Sequence, residues 1–170
     1  MNRKGHSRLL PLLAGLTVAL ALGSCNRKAV YSHYEHTPMD GQGWERRDTL
    51  FFDVPPVRAE GCYAGAIGLR CTSSYPFKRL ALIVTQQIVP RGWLRRDTVF
   101  FQIAGDNGLY LGEGINYFQY ALPLSDCYLA KGDSMHVSVN HYMLREELPG
   151  VSEVGFTLTS CSDQRQYAGR

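Results

Sequence analysis

The sequence predicts an all-β protein, a single-domain antiparallel β-sandwich of about seven to nine strands. Apolar residues alternate with a period of two in several short segments, as expected for strands with one buried face. Glycine and proline separate these segments, and no stretch keeps a 3.6-residue apolar period over about 11 residues. Several predicted strands carry large apolar residues on both faces, which favours two packed sheets over one solvated sheet.

The first 24 residues resemble a bacterial lipoprotein signal peptide. An apolar run of about 14 residues follows three basic residues and is shorter than the ~20 residues that cross a bilayer. The segment Leu22-Gly23-Ser24-Cys25 resembles a lipobox, in which the peptide is cut before a cysteine that becomes acylated. We therefore expect a signal peptide over residues 1–24 and a membrane anchor at lipidated Cys25, where each buried CH₂ contributes ~0.8 kcal/mol.

The charge of the mature chain argues against a nucleic-acid partner. The sequence has 18 Lys and Arg against 15 Asp and Glu, but three of the basic residues lie in the signal peptide. The mature chain is therefore formally neutral, whereas a nucleic-acid-binding domain presents a basic surface. We expect the chain to reach the membrane through lipid rather than through a basic patch.

Residues 25–43 are predicted to form the lipidated cysteine and a tether, because they show no sustained apolar period. A flexible linker of this length spans roughly 25 Å; a first edge strand is the alternative. His33 and His36 would face one metal only on a helix, which nothing else supports, so we predict no metal site. The sandwich is then expected over residues 44–161, followed by a polar tail over 162–170.

Two near copies of one segment begin the predicted domain. Residues 43–54 and 92–103 share eight of twelve positions, and each copy is predicted to be a turn that leads into a strand. Phe52 and Phe101 fall on one face of their strands, while Phe51 and Phe100 fall on the other. Two equivalent strands explain the repeat best; a duplicated half-domain and a matched pair of Trp-Arg binding sites are the alternatives.

The remaining strands follow from the same alternation. We predict them at residues 62–71, 79–89, 117–122, 134–143 and 154–158. In the fourth of these, His136 and His141 point to opposite faces and cannot act together. We interpret His141, on the apolar face, as a hydrogen-bonded core histidine.

Four cysteines remain in the domain of an exported chain, where disulfides are permitted: Cys62, Cys71, Cys127 and Cys161. Cys62 and Cys71 bracket one strand, so their Cα atoms lie roughly 30 Å apart, well beyond the ~7 Å limit of a disulfide. The open pairings are Cys62–Cys127 with Cys71–Cys161, or Cys62–Cys161 with Cys71–Cys127. A single bridge with two buried thiols is the third possibility.

No recognisable motif for catalysis, a cofactor or a metal occurs in the sequence. Asp106 and Glu113 are the weak candidates for the carboxylate pair of a hydrolase. The glycine-rich stretch 108–114 is not followed by a helix that would hold a phosphate. Four aromatic residues would stack on sugar rings if they were exposed, which makes a glycan-binding sandwich the alternative function: Trp44, Tyr75, Trp93 and Tyr110.

The chain resembles the gliding-motility lipoprotein H (GldH) family of Bacteroidetes over the signal and nearly all of the mature domain. The resemblance rests on the order and spacing of the lipobox, Trp44, Phe52, Leu69-Arg70, Tyr75-Pro76-Phe77, Leu80, Asp97-Thr98-Val99, Ala104, Gly108, Gly112, Gly114, His141 to Arg145, Leu148 to Val151, and Glu153-Val154-Gly155. Two positions depart from the pattern: Tyr110 stands where we expect Trp, and His141 where we expect Gln. The four domain cysteines are not part of it.

This resemblance implies a non-enzymatic lipoprotein that assists a multi-protein envelope machine for gliding and its linked secretion. Other envelope proteins are then the expected partners, besides the membrane. Surface-exported lipoproteins of this phylum resemble one another in acidic residues after the lipidated cysteine, whereas Asn26-Arg27-Lys28 contains none. We therefore expect the periplasmic face of the outer membrane.

Overall fold

The computed structural model describes residues 29–37 and 43–161 and packs them as two antiparallel β-sheets, which confirms the predicted sandwich. The signal peptide, Cys25 and the polar tail lie outside the described residues. No helix in the described ranges is long and apolar enough to cross a membrane. The strands are β1 (Ala29–His36), β2 (Trp44–Glu45), β3 (Leu50–Val54), β4 (Gly61–Thr72), β5 (Arg79–Val89), β6 (Trp93–Gln102), β7 (Tyr117–Pro123), β8 (Cys127–Leu129), β9 (Ser134–His141), β10 (Glu147–Leu148) and β11 (Val151–Ser160).

The two sheets share one core. The first sheet has the order β1-β11-β4-β7, with β8 also paired to β4, and the second has the order β3-β9-β5-β6. Strands β2 and β10 form a short separate pair. The inward residues are almost fully buried, as alternation requires, and Phe52 of the second sheet meets Phe156 of the first at 6.3 Å between ring centroids. Burial of each such side chain contributes about 1.5–3 kcal/mol.

The sandwich has two ends, which carry different loops. The Ala29 end holds the first residue of β1, the loops 55–60 and 130–133, and the β5–β6 turn at 90–92. The glycine-loop end holds the loops 73–78, 103–116 and 142–150. The antiparallel registers show which loops share an end, because they place the end of β4 beside the start of β7 and of β11.

The two sequence copies occupy the two edges of the second sheet, as equivalent strands β3 and β6. Phe51 and Phe100 face outward in both and are 64% and 65% exposed. The copies differ at their tryptophans. Trp44 is buried and packs edge-on against His141. Its indole N–H donates to the Asp48 carbonyl, so the chain of the first copy forms a turn before β3 begins. A matched pair of Trp-Arg sites is therefore wrong.

The predicted tether is wrong over residues 29–37, because β1 belongs to the first sheet. It pairs with β11 from Ala29 to His36. Thr37 continues the attachment, since it is buried and its backbone N–H donates to the Ser152 carbonyl at 3.1 Å. Backbone pairing with β11 satisfies hydrogen-bonding groups without an apolar period in β1, so the sequence pattern missed this edge strand.

One disulfide joins Cys62 to Cys161, and the other two domain cysteines are free thiols. The predicted absence of a Cys62–Cys71 bond is confirmed. These residues point to opposite faces of β4, so Cys62 is exposed and Cys71 is buried in the core. Burial raises the pKa of the Cys71 thiol to about 12, which keeps it protonated and inert.

His141 is a core residue, as predicted. It is 1% exposed, and its Nδ1 accepts the backbone N–H of Met143 at 3.5 Å. Loss of solvent on burial is the main cause that lowers the pKa of this imidazole from its usual value. The folded protein therefore holds His141 neutral.

We expect Cys62→Ser and Cys161→Ser each to lower the free energy of unfolding by about 3–5 kcal/mol, because the bridge closes a long loop in the unfolded chain. Urea denaturation measures the loss, with Cys127→Ser as the control that keeps the bridge. Non-reducing peptide mapping should recover one linked pair, Cys62 with Cys161. A linked peptide that contains Cys71 or Cys127 would contradict this assignment.

Stability should fall as the pH drops below about 6.5, the usual pKa of histidine. The unfolded chain binds a proton at His141 more readily than the folded chain does, so acid favours unfolding. Above that pH the imidazole is neutral in both states, and His141 no longer destabilises the fold. His141→Gln should therefore flatten the decline in the free energy of unfolding between about pH 7 and pH 5. Urea denaturation at both values measures it, and an unchanged decline would assign the effect to other groups.

Candidate functional site

A row of polar side chains crosses the outer face of the first sheet. The registers align His36 of β1 with Glu153 of β11, Glu153 with Arg70 of β4, and Arg70 with Gln119 of β7. Alternation directs all four outward, opposite to the core residues Leu69 and Val154 of the same strands. The row therefore spans four neighbouring strands at one level of the sheet.

Arg70 is the centre of this row. Its guanidinium forms an ion pair with Glu153 and donates from Nε to the side-chain oxygen of Gln119 at 3.3 Å. The second carboxylate oxygen of Glu153 lies 3.2 Å from Nδ1 of His36. Because Glu153 is only 16% exposed, solvent screens this pair less than an ordinary surface ion pair. The arrangement fixes a planar cation on the sheet.

Tyr34 covers the next level of the same face. Its ring lies across two glycines, Gly68 of β4 and Gly155 of β11, where any Cβ would collide with the phenol. The Arg70 guanidinium sits 4.4 Å from the centroid of the Tyr34 ring, within the range of a cation–π contact. Glycines inside strands thus mark a place where a ring approaches the backbone. On the other side of the polar row from Tyr34 lies a cleft of about 540 Å³, lined by His36, Arg70, Thr72, Tyr117, Ser152 and Glu153.

The glycine-rich loop lies next to this face. Single backbone bridges join Ala104 to Tyr110 and Glu113 to Gln119, so the loop is fixed at both sides. Tyr110 stacks on Phe118 with ring centroids 4.2 Å apart and donates its hydroxyl to the Ser73 carbonyl at 2.8 Å. The loop and the start of β7 nevertheless expose four large apolar side chains to solvent: Leu109, Leu111 and Ile115 in the loop, and Tyr117 in β7.

A second cleft separates this loop from the edge strands β6 and β7. It has a volume of about 430 Å³ and is lined by Phe101, Gln102, Leu111, Glu113, Gln119, Tyr120, Ala121 and Leu122. The Tyr120 hydroxyl donates to the Ile103 carbonyl at 2.8 Å and holds the loop base to β7. The cleft and the exposed loop residues form one surface, which we call the glycine-loop surface.

The predicted aromatic platform is wrong. Trp44 and Tyr75 are core residues, and the Tyr75 hydroxyl is engaged with the Arg79 carbonyl at 2.9 Å. Trp93 is 41% exposed but lies at the Ala29 end, whereas Tyr110 lies at the glycine-loop end. The four rings cannot bind one sugar chain together, because the fold buries two and separates the other two.

The weak hydrolase candidates have other roles in the structure. Asp106 forms an exposed ion pair with Lys78 at 3.2 Å, and Glu113 makes the backbone bridge to Gln119. Among the described residues, the ligand atoms of Cys62, Asp126 and Cys161 lie close enough for a metal, but the disulfide consumes both thiols. His33, one of the two histidines considered for a metal site, places its Nε2 2.8 Å from a carboxylate oxygen of Glu35.

Sequence reasoning missed the polar row and the exposed loop side chains. Two signals were present: the glycines Gly68 and Gly155 inside strands, and the charged residues Arg70 and Glu153 at outward positions of otherwise apolar strands. Neither signal shows that the two strands are neighbours. Arg70, Glu153 and Gly155 all belong to the segments that carry the family resemblance.

Comparisons with solved structures give weak similarities. A family GH115 4-O-methyl-alpha-glucuronidase with specificity for decorated arabinogalactans matches at 12% identity and a TM-score of 0.42, over 81% of this chain and 18% of that one. A family 35 carbohydrate-binding module from Clostridium thermocellum matches at 11% identity and a TM-score of 0.40, over 75% of this chain and 98% of that one. The globular domain of zebrafish complement 1qA matches at 13% identity and a TM-score of 0.37, over 76% of this chain and 95% of that one. No curated protein matches significantly.

A family comparison gives a specific result. The model of the GldH lipoprotein family matches residues 29–158, which cover every strand from β1 to most of β11. This range includes the Arg70–Glu153 row, the Tyr34 contact and the glycine-rich loop. The chain therefore belongs to the GldH lipoprotein family.

Proposed function

We propose that the chain is a lipid-anchored, non-enzymatic accessory subunit of an envelope machine of the gliding-motility and linked-secretion type. Its family is a lipoprotein family of gliding motility, which associates the chain with a membrane. In this proposal Cys25 holds the protein at the outer membrane, on the periplasmic face, and the glycine-loop surface binds another envelope protein.

The observation that carries the proposal is the display of apolar side chains by a loop that is itself well fixed. Ile115 is 89% exposed, Leu109 and Leu111 are also exposed on the same loop, and Tyr117 is exposed at the start of β7. Leu144 and Tyr142 add to the apolar area at the same end of the sandwich. Clustered apolar side chains on a soluble domain typically mark an interface, and each is worth about 1.5–3 kcal/mol when a partner buries it fully.

The partner that fits this surface is a folded protein with a complementary apolar face and few charges. The cleft of about 430 Å³ beside Leu111 would take one protruding side chain of such a partner. The Arg70–Glu153 row borders the loop through Gln119 and supplies fixed polar groups at the rim. An apolar centre with a polar rim is the usual composition of a protein interface.

The two free thiols, His141 and Arg70 are not set up as catalytic groups. The free thiols are not activated, since burial raises the pKa of Cys71 to about 12 and also raises the pKa of Cys127. His141 is buried in the core, with Trp44 packed against its ring. The exposed cation Arg70 is already engaged by Glu153 and Gln119. A nucleophile or general base needs the opposite conditions, an accessible group with a pKa near neutrality.

Cys25→Ala should leave an unprocessed precursor that no longer fractionates with the outer membrane. Labelling with a fatty-acid analogue measures the lipid, and protease shaving of intact cells tests the face. The wild-type protein should be labelled and resist shaving, whereas cell lysis should expose it. Labelling of the Cys25→Ala protein would contradict the anchor, and loss of the wild-type protein on shaving would contradict the periplasmic face.

A photo-crosslinking residue placed at Ile115 should join the chain to one defined envelope protein in living cells. The same residue at Phe51, which is also apolar and is 64% exposed on the second sheet, is the control and should not form this crosslink. Leu111→Ser combined with Ile115→Ser should abolish the crosslink and impair gliding or secretion at normal protein levels. Equal crosslinking from Ile115 and Phe51, or full function of the double variant, would refute this surface.

A further inference from the structure

We infer that the Ala29 end of the sandwich rests on the bilayer itself, with an apolar and cationic footprint in the lipid headgroup layer. The inference rests on the Cys25 anchor of the proposed function and adds an orientation and a second contact. Its evidence is the length of chain before β1 and the side chains that this end presents.

The chain between the anchor and the fold is very short. Only Asn26, Arg27 and Lys28 separate Cys25 from Ala29, where β1 begins. Four residue steps of at most ~3.6 Å place the two Cα atoms no more than about 14 Å apart. This bound holds for any conformation of the intervening residues.

The fold itself fills most of that distance. Ala29 pairs with Thr159, which pairs with Ala64, so Ala29 and Ala64 lie at one level of the first sheet. From Ala64 the strand β4 runs three more residues to Gly61, which adds about 10 Å in the direction of the Ala29 end. Cys25 therefore cannot lie more than about 4 Å beyond the level of Gly61.

The lipid headgroup layer on each side of a bilayer is about 5–8 Å thick. Since acyl chains on Cys25 must enter the hydrocarbon core, the domain has to touch that layer. With its strands along the membrane normal, the tip formed by Gly61 of β4 and its partner Leu129 of β8 is the part that lies in or against it. The 130–133 turn projects from the same tip. A domain that stands off the membrane on a flexible tether is therefore excluded.

The side chains at this end suit such a position. A groove of about 430 Å³ opens between the sheets next to the chain entry and is lined by Val30, Val54, Pro55, Pro56, Val57, Arg58, Ala59, Tyr63 and Ser160. Most of these residues are apolar. Val30, five residues after Cys25, is 48% exposed at the groove, so it lies where the chain meets the lipid.

Aromatic residues extend the footprint across the end. Trp93 is 41% exposed, Leu94 is 63% exposed and Tyr128 is 57% exposed. Arg91 in the β5–β6 turn donates to the Tyr128 carbonyl at 2.7 Å and pairs with buried Asp133 at 2.5 Å, which fixes the turn against β8. Trp and Tyr are enriched at membrane interfaces because one side of each is apolar and the other is polar.

The charges at this end favour anionic lipid moderately. Exposed cations at the end are Arg58, Arg91 and Lys131, and Arg27 and Lys28 directly precede Ala29 in the sequence. The acids there are Glu60, Asp126 and Asp133, of which Asp133 is buried and paired with Arg91. These folded residues balance, three cations against three acids, so the positive excess comes from Arg27 and Lys28 next to the anchor. Long cationic side chains can reach lipid phosphates from the rim of an apolar footprint.

The two tryptophans provide an internal test, because they lie at opposite ends. Trp44 is buried and contacts His141, which is six residues along β9 from Met135 at the level of Trp93. That separation is about 20 Å along the sheet. A quencher confined to the acyl chains should therefore reach Trp93 and not Trp44.

The experiment uses the full-length mature lipoprotein in vesicles of phosphatidylethanolamine and phosphatidylglycerol with brominated acyl chains. We expect the protein to float with the vesicles and to lose a large part of its tryptophan emission relative to unbrominated vesicles. Trp93→Phe should abolish this quenching while flotation persists. Leu94→Gln combined with Tyr128→Gln should reduce it several-fold, and Leu109→Gln at the other end is the matched control that should not.

Each other outcome would refute one part of the inference: the footprint, the anchor or the orientation. Flotation with no Trp93-dependent quenching would overturn the footprint and leave the Cys25 anchor intact. Failure to float would overturn the anchor, and with it the length bound on which the footprint depends. Equal quenching in the wild-type and Trp93→Phe proteins would reverse the orientation, because Trp44 would then be the residue near lipid.

Discussion

Strand β4 is the element on which the rest of the structure depends. It pairs with β11 on one side and with both β7 and β8 on the other, so removing it would split the first sheet. Its inward residues Ile67, Leu69 and Cys71 are fully buried between the sheets. Its outward residues Gly68 and Arg70 hold the Tyr34 ring and the polar row. The register of β4 with its neighbours therefore determines both the core contacts and the polar row on the outer face.

The same strand relates the two ends of the domain. Its last residues lead to the glycine-loop end, where apolar side chains face solvent, and its first residues form the tip of the Ala29 end. Cys62, near that tip, ties β4 to Cys161 directly after β11, which closes the end covalently. In the proposed orientation, β4 runs from the membrane toward the end that binds the partner.

The sequence repeat illustrates how tertiary context changes the use of one local pattern. Both copies form edge strands of the second sheet, with Phe52 and Phe101 inward. Yet Trp44 packs into the core beside His141, while Trp93 stays partly exposed at the other end. The two edges of the second sheet have different neighbours. The β3 edge lies beside β1 and the β2–β10 pair, and the β6 edge borders β7. Equal sequence therefore does not produce equal sites.

By itself, the sequence determined the features that depend on local alternation and on short motifs. The sandwich class, the bounds of β5 at Arg79–Val89, the burial of His141 and the opposite faces of Cys62 and Cys71 follow from a two-residue period. Tertiary structure alone decided the pairing of Cys62 with Cys161, the incorporation of β1, and the row that joins Arg70 to Glu153. These features bring together residues far apart in the chain, and alternation carries no information about which strands become neighbours. The burial of Trp44 and Tyr75 depends in the same way on which loops close over them.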